Sequence, residues 1–581
     1  MTIHTVLESR WIFVVALCLG VVLSLPTLSN GLFLDDYEQR IALLSGDHSN
    51  VFDFSHRGTV TGEARIQKGV LPWWTPPGTK VMFYRPLAQR LMEVDYRLWP
   101  DNLTLMHLHS ILWYGLAVLI ACLAYRQILP SSWSAGLAAV LFALDGAHSA
   151  VAWLANRNVA PCMAAALLSL LCYRRGAWPW RIAGCGLLLV SLGFAETGIA
   201  ITGYYLSYTL FVSEQSWRQR AVHFLPYALV VVAWLVFWKS HGFGASGPGF
   251  YIDPAAHPAL FAREAIYRFP AYLVGQLFLP PPEFFSYLQS TAWRAHALGY
   301  ALGIVALLAW MVLPLLRSSR EARFLCCGML LAVIPICSST LVYRALWFVG
   351  FGATGLLALF IEQFRSLALP LWRVRSSAVL AGVMLIVHLG ISPLQFLLYD
   401  NSLDMLDQLT DSRRVQLPDT ETTDTHVLAL SVSSYVNDIS NPLLKDEALS
   451  LGSRPVRPAP TLARIRALSE GDGDYTLLRK GADILIATRA AGFTTLRPAP
   501  YGFTRGEHIS LDDVDIVIRA TSTGGVPTVI EYDFRPRALD SYRVIAWYQD
   551  HFSPALLPEV GRTLTIRACQ PLPECFATPP G

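Results

Sequence analysis

The sequence predicts a polytopic α-helical membrane protein of about eleven transmembrane helices, followed by a C-terminal β-rich extracytoplasmic domain. Three observations predict it. Hydrophobic residues make up 53% of the 581 residues and charged residues only 15%, with a mean hydropathy of +0.41; soluble domains carry about 25% charge. Long apolar runs recur as far as residue 396. Beyond residue 400 the runs turn short and β-rich. A net charge of +3 gives no pull toward nucleic acid, and the 17 Trp and 23 Tyr suit interfacial aromatic belts.

A spanning helix needs about 20 mainly apolar residues. "WIFVVALCLGVVLSLPTL", from Trp11, is the first such run. No small-residue cleavage site follows it, so it reads as an anchor. A polar stretch over 30–102 comes next. Further runs begin near Leu103, Trp133, Asn158, Trp180, Thr197, His223, His296, Arg323, Ala345 and Ser377. These make domain 1–399, with 30–102 as the first outer loop and 240–295 as a second. Inside the second, "REAIYRFPAYLVGQLFLPPPEFF" starts with charge and ends in prolines. It reads as an interfacial or re-entrant helix.

Arginines cluster in alternate short loops: 173–181, 213–220, 317–323 and 362–375. The positive-inside rule puts these on the cytoplasmic side. Loop 30–102 and residues 400–581 then face outward. In the tail, "THVLALSVS", "DILIATR", "HISLDDVDIVIRAT", "TVIEYDF" and "YRVIAWYQ" read as strands of a sheet or sandwich.

The unusual charges gather on the outer face. Asp35 and Asp36 in "FLDDYEQR" follow the first span. Arg85 sits beside a proline in "MFYRPLAQR"; His148 and Arg157 fall in "AHSAVAWLANRNVAP". Glu196 interrupts "LGFAETGIAITGYYL", and Arg344 lies in "SSTLVYRALWF". Charges near membrane depth are costly and usually mark function. Ordinary roles exist for each: snorkelling for Arg85 and Arg344, a structural ion pair for Glu196, packing for His148. Taken together they predict carboxylates and guanidiniums around one outer cavity. Guanidinium grips phosphate bidentately, and a carboxylate accepts a hydroxyl proton. The chemistry expected is sugar transfer from a polyprenyl-phosphate sugar to an acceptor hydroxyl on a protein, glycan or lipid. A transporter or flippase of lipid-linked glycans, or a glycan ligase or polymerase, are the alternatives.

At "FLDDYEQR", "FYRPLAQRLMEVDYRLWP", "LFALDGAHSAVAWLANRNVAP", "FAETGIAITGYYL" and "YRALWFVGFGATGLLA" the chain resembles the GT-C superfamily of lipid-linked glycosyltransferases. The similarity is nearer to protein O-mannosyltransferase-like members, including those with tetratricopeptide repeats, which this chain lacks. It departs from them at Ser149 and Ala150, where relatives often carry an acid, and at Ala195, where they often carry lysine. The resemblance implies Asp35 or Asp36 as base, with Glu196 as a further catalytic carboxylate. It implies Arg85, Arg157, Arg344 and Arg40 as donor-phosphate ligands, and His148 and Tyr84 in the cavity. Transfer would be inverting. No cofactor is implied with certainty, and a divalent metal is possible at Asp35 and Asp36. A bacterial inner membrane, with the active face in the periplasm, is the expected location.

Of ten cysteines, Cys569 and Cys575 alone lie outside apolar runs. A close pair in a polar domain predicts a disulfide in an oxidising compartment. The bond is expected to resist alkylation until reduced, and to stabilise by about 2 kcal/mol. Mass-spectrometric labelling of both thiols without reductant would contradict it.

Overall fold

The computed structural model describes residues 3–9, 11–46, 50–56, 61–247, 249–288, 291–364, 370–416, 426–451, 464–471, 473–497, 501–548 and 551–567. Cys569 and Cys575 lie outside these described residues. The chain divides into two compact units. A helical unit comprises Met1–Leu32, Phe83–Gly244 and Phe250–Asp404. A second unit comprises Phe33–Met82, Ala245–Gly249 and Met405–Gly581. The stretch read in sequence as the first outer loop, 30–102, is therefore shared. Residues 33–82 group with the C-terminal chain, and 83–102 with the helices.

The helical unit has a helix at each of the eleven apolar runs. Among the described residues, six are long and apolar enough to cross a membrane: Ile12–Ser29, Leu103–Ile128, Leu154–Arg175, Trp217–Ser240, Ala292–Ser318 and Leu371–Arg414. A seventh forms if Ser132–Ala143 and Gly146–Ala152, bent by 47°, count as one span. Trp178–Phe194 and Trp347–Gln363 are apolar but shorter. The chain is thus an integral membrane protein by its helices.

Composition sets which helices lie inside. Leu154–Arg175 is 89% buried, whereas Trp217–Ser240 and Ala292–Ser318 are 17% buried. The inner helix carries Ala160, Ala164, Ala165 and Ala166, whose small side chains let neighbours approach closely. The outer two present Leu, Val and Trp to lipid. At the 47° bend, a Cβ on Gly146 would stand 2.6 Å from the Ser392 carbonyl oxygen. Only glycine fits that approach. Pro258–Leu277, the segment read as interfacial, is a helix whose C-terminal part, Ala271–Gln276, is buried.

The second unit is strand-rich. Its strands beyond residue 400 are β1 His426–Ala429, β2 Arg464–Ala467, β3 Tyr475–Gly481, β4 Ile484–Thr488, β5 His508–Ser510, β6 Asp515–Thr521, β7 Pro527–Asp533, β8 Arg543–Tyr548, β9 His551–Pro554 and β10 Thr563–Ile566. Four form a sheet in the order β9–β8–β1–β2, with β1 parallel to both β8 and β2. Six form an antiparallel sheet in the order β10–β3–β4–β7–β6–β5. All five strand segments read from the sequence are present.

The core of this unit includes Trp73 and Trp74, from the N-terminal segment. The Trp73 indole donates to the Ala467 carbonyl at 2.9 Å and meets Tyr532 edge-on at 5.8 Å. Trp74 packs edge-on against Tyr435 at 5.3 Å. Each ring buries large apolar area and finds a defined geometry. Buried Arg466 donates to Asp513 and to the carbonyls of Ile66 and Gln67. Residues 33–82 are thereby built into the domain by both apolar and charged contacts.

One carboxyl here titrates near neutrality. Burial pushes Glu470 up to about 7, against the Tyr435 N–H it accepts from at 3.1 Å; Asp438 adds to the rise. An acid raised in the folded state holds a proton that the unfolded chain releases. Its contribution is full below the ordinary glutamate range and is lost as pH climbs toward 7. Glu470→Gln is therefore expected to gain on the parent as pH rises, by roughly 3 kcal/mol at alkaline pH. Hydrogen exchange of the β2 amides in the full-length protein, followed across pH, reads this difference. A gap that stays constant with pH would contradict it.

Candidate functional site

Arg85 precedes Pro86, the first residue of the Pro86–Leu98 helix. Proline at that position needs no N–H partner and starts the helix. It also holds Arg85 out of helical geometry, at φ −130°. The Arg85 Nε donates to Glu196 Oε2 at 2.8 Å, and the Tyr84 N–H donates to Oε1 at 2.8 Å. Glu196 opens the short helix leading into Ile201–Phe211, where helix-terminal N–H groups favour a carboxylate. Both oxygens are thus engaged. The Arg85 guanidinium lies over Phe83, 4.4 Å from its centroid. Each charged group keeps under a fifth of its side chain exposed.

Arg157 has a partner that sequence reading missed. Asp95, fully buried on the Pro86–Leu98 helix, forms an ion pair with Arg157. Its other oxygen meets His109 Nδ1 at 2.6 Å. The Trp113 indole donates to His109 Nε2 at 2.9 Å. Nε2 therefore accepts, and Nδ1 carries the proton given to Asp95. Trp113 packs at a tilt against Phe194, 5.9 Å between centroids and two residues before Glu196. The signal for Asp95 was present: the buried positions of this helix are Ala88, Met92 and Asp95, a helical stripe with an acid in it.

Arg344 lies over Trp153, 4.6 Å from the ring. Beside it, Glu283 accepts the Tyr343 N–H at 2.5 Å. Burial raises the Glu283 carboxyl above its ordinary range, opposed by that N–H and by the Arg344 charge. His148 is fully buried among Phe142, Trp347 and Tyr114, at 4.4, 4.2 and 5.6 Å. This is a packing environment. Nearby in sequence, buried Asp145 accepts from Gln276 at 2.7 Å and from the Ala147 N–H at 3.0 Å; it too was missed.

The acid pair belongs to the second unit. Asp35 and Asp36 are the first two residues of the helix Asp35–Leu44. The residue before them, Leu34, holds φ +48° and ψ −112°. A branched non-glycine residue there is strained, by about 1–3 kcal/mol. Asp36 is 1% exposed, and its Oδ2 accepts the Phe33 N–H at 3.0 Å. Asp35 is half-buried. Tyr37 donates to Asp407 at 3.0 Å, and the buried Arg40 donates through Nε to the Ala448 carbonyl at 3.0 Å. Among the described residues, no group of three or more His, Cys, Asp or Glu is arranged to hold a metal ion. The buried Asp36 carboxylate is turned to the backbone.

No protein-family model matches this chain, and neither does any curated protein.

Breaking a buried ion pair by removing one partner costs about 3–5 kcal/mol. Asp95→Asn is expected to destabilise the helical unit by that order, and Asp95→Asn with Arg157→Gln by less. Arg344→Gln, losing a ring contact, is expected to cost about 0.5–2 kcal/mol. Thermal unfolding in detergent checks the ranking. Equal losses for all three variants would overturn it.

Proposed function

We propose that the chain is a membrane glycosyltransferase moving a sugar from a polyprenyl-phosphate donor to an acceptor hydroxyl. About eleven spans in a GT-C-like arrangement, and an active face in the periplasm of a bacterial inner membrane, complete this reading. The observation that carries it is the strained turn at Leu34, which starts a helix at Asp35 just beyond the first span. Strain of this kind persists where a side chain must be aimed.

The two acids divide the work. Asp36 caps the turn, and Asp35 is the base. The acceptor O–H proton passes to the Asp35 carboxylate as the oxygen bonds to the anomeric carbon. The bond from that carbon to the phosphate oxygen breaks, and polyprenyl phosphate leaves from the opposite side. The anomeric centre inverts. Arg85 is the first choice for the leaving phosphate, with Glu196 as its positioning partner. A bidentate guanidinium contact stabilises the charge that develops there. Arg157, matched by Asp95, is a framework residue in this scheme, as is Arg40. Arg344 supplies a second guanidinium beside Trp153.

Asp35→Asn keeps size and removes basicity. It is expected to slow release of polyprenyl phosphate from a reconstituted polyprenyl-phosphate hexose by about 10²–10⁴-fold. Asp36→Asn is expected to act chiefly on stability, by about 1 kcal/mol. Unchanged turnover in Asp35→Asn would refute the assignment of the base.

A further inference from the structure

A second polar site lies at the other end of the helical unit. A cavity of about 500 Å³ is lined by Arg174, Tyr208, Ser213, Arg220, His223 and Arg320, among others. It sits where Val159–Arg175 and Ile201–Phe211 end and Trp217–Ser240 and Arg320–Ile336 begin. Arg157 precedes the Val159–Arg175 helix and Arg174 nearly ends it. Seventeen residues of helix put roughly 25 Å between the two clusters. This cavity is therefore separate from the proposed reaction.

The charges around it are not equally satisfied. Arg320 is matched by Glu214 at 2.7 Å and Glu321 at 3.5 Å. Arg220 spends its donors on backbone: Nε on the Gln215 carbonyl at 2.8 Å, Nη1 on those of Thr209 and Leu210 at 2.8 and 3.3 Å, and Nη2 on that of Ser213. No carboxylate among the described residues balances it. Arg174 lies 5.9 Å from the Tyr208 ring, and its Nη1 is buried with no hydrogen-bond partner among the described residues. His223 bonds the Tyr173 carbonyl through Nε2 at 2.8 Å, which leaves the buried Nδ1 unpartnered. A buried donor with no acceptor is uncommon in a folded protein. Here a guanidinium N–H is left so, beside a cavity far larger than one water.

We propose that this cavity binds a phosphate-bearing anion, with Arg174 as its principal recognition group. A guanidinium fork matches phosphate oxygens, and the volume suits a headgroup-sized ligand rather than bare phosphate. Trp178, Trp180 and Trp217 are exposed at the same end, and such indoles mark the headgroup level of a bilayer. A phospholipid headgroup and a soluble organic phosphate offer the same chemistry.

The full-length protein is titrated in neutral detergent with phosphatidylglycerol or phosphatidylcholine, and bound lipid is counted by native mass spectrometry. Inorganic phosphate and glycerol phosphate are titrated separately by calorimetry. Phosphatidylglycerol is expected to be held about tenfold more tightly than phosphatidylcholine. Arg174→Gln is expected to abolish that preference and Arg174→Lys to keep part of it. Ser213→Glu, which adds a carboxylate to those of Glu214 and Glu321 in the cavity lining and leaves every arginine in place, is expected to abolish it as well. Arg174-dependent binding of the soluble phosphates alone would assign the site to a soluble ligand and support the proposal. If both Arg174→Gln and Ser213→Glu leave every titration unchanged, the proposal fails. If Arg174→Gln does not fold, Ser213→Glu decides alone.

Discussion

A carboxylate buried among apolar helices must be matched, and Asp95 is the one on which the rest of the helical unit is arranged. Uncompensated, it would cost several kcal/mol. The match comes from Arg157 and His109, so three segments of chain are tied at one point: the helix after Pro86, the Leu103–Ile128 span and the entry to Val159–Arg175. Trp113 carries the tie onward to Phe194 and the turn that bears Glu196. Arg85, at the start of the same helix as Asp95, then meets Glu196 in a fixed register. Apolar packing between lipid-embedded helices is weakly directional. These few polar links supply the direction.

The same economy appears at the acid pair. Two neighbouring aspartates have unlike surroundings because successive helical residues point about 100° apart. One turns inward to the Phe33 N–H, and the other is left half-buried at the helix start. The positive φ at Leu34 sets that phase. A shift of one residue would exchange the two roles, and this is why the acids are informative only with their backbone.

Much of the architecture was legible in the sequence. Apolar length located a helix at every one of eleven runs, because lipid leaves the backbone few alternatives. Five short β-rich runs located six of these strands. The others, among them β3 and β10, were passed over because "YTLLRKG" and "TLTI" are brief or charged. The pairing of Glu196 with an arginine was anticipated as a structural possibility. Asp95 and His109 were not, since a polar residue facing inward has no mark of its own in a one-dimensional pattern; only its place in the Ala88–Met92 stripe betrays it. Residues 33–82 were read as a loop because no sequence period links Trp73 to strands that follow hundreds of positions later.

That long separation has a consequence for how the protein is made. Trp73 and the carbonyl that receives its indole are 394 residues apart. At about 5–20 residues per second, synthesis leaves the tryptophan pair waiting roughly 20–80 seconds for the strands that enclose it. During that interval several membrane helices are threaded into the bilayer while two large indoles stand without their core. A nascent chain in this position is a natural client for a holding chaperone. A ribosome that stops before β2 leaves behind a membrane-anchored fragment with a sticky loop. The order of elements along the gene thus makes completion of the last domain a checkpoint on the first.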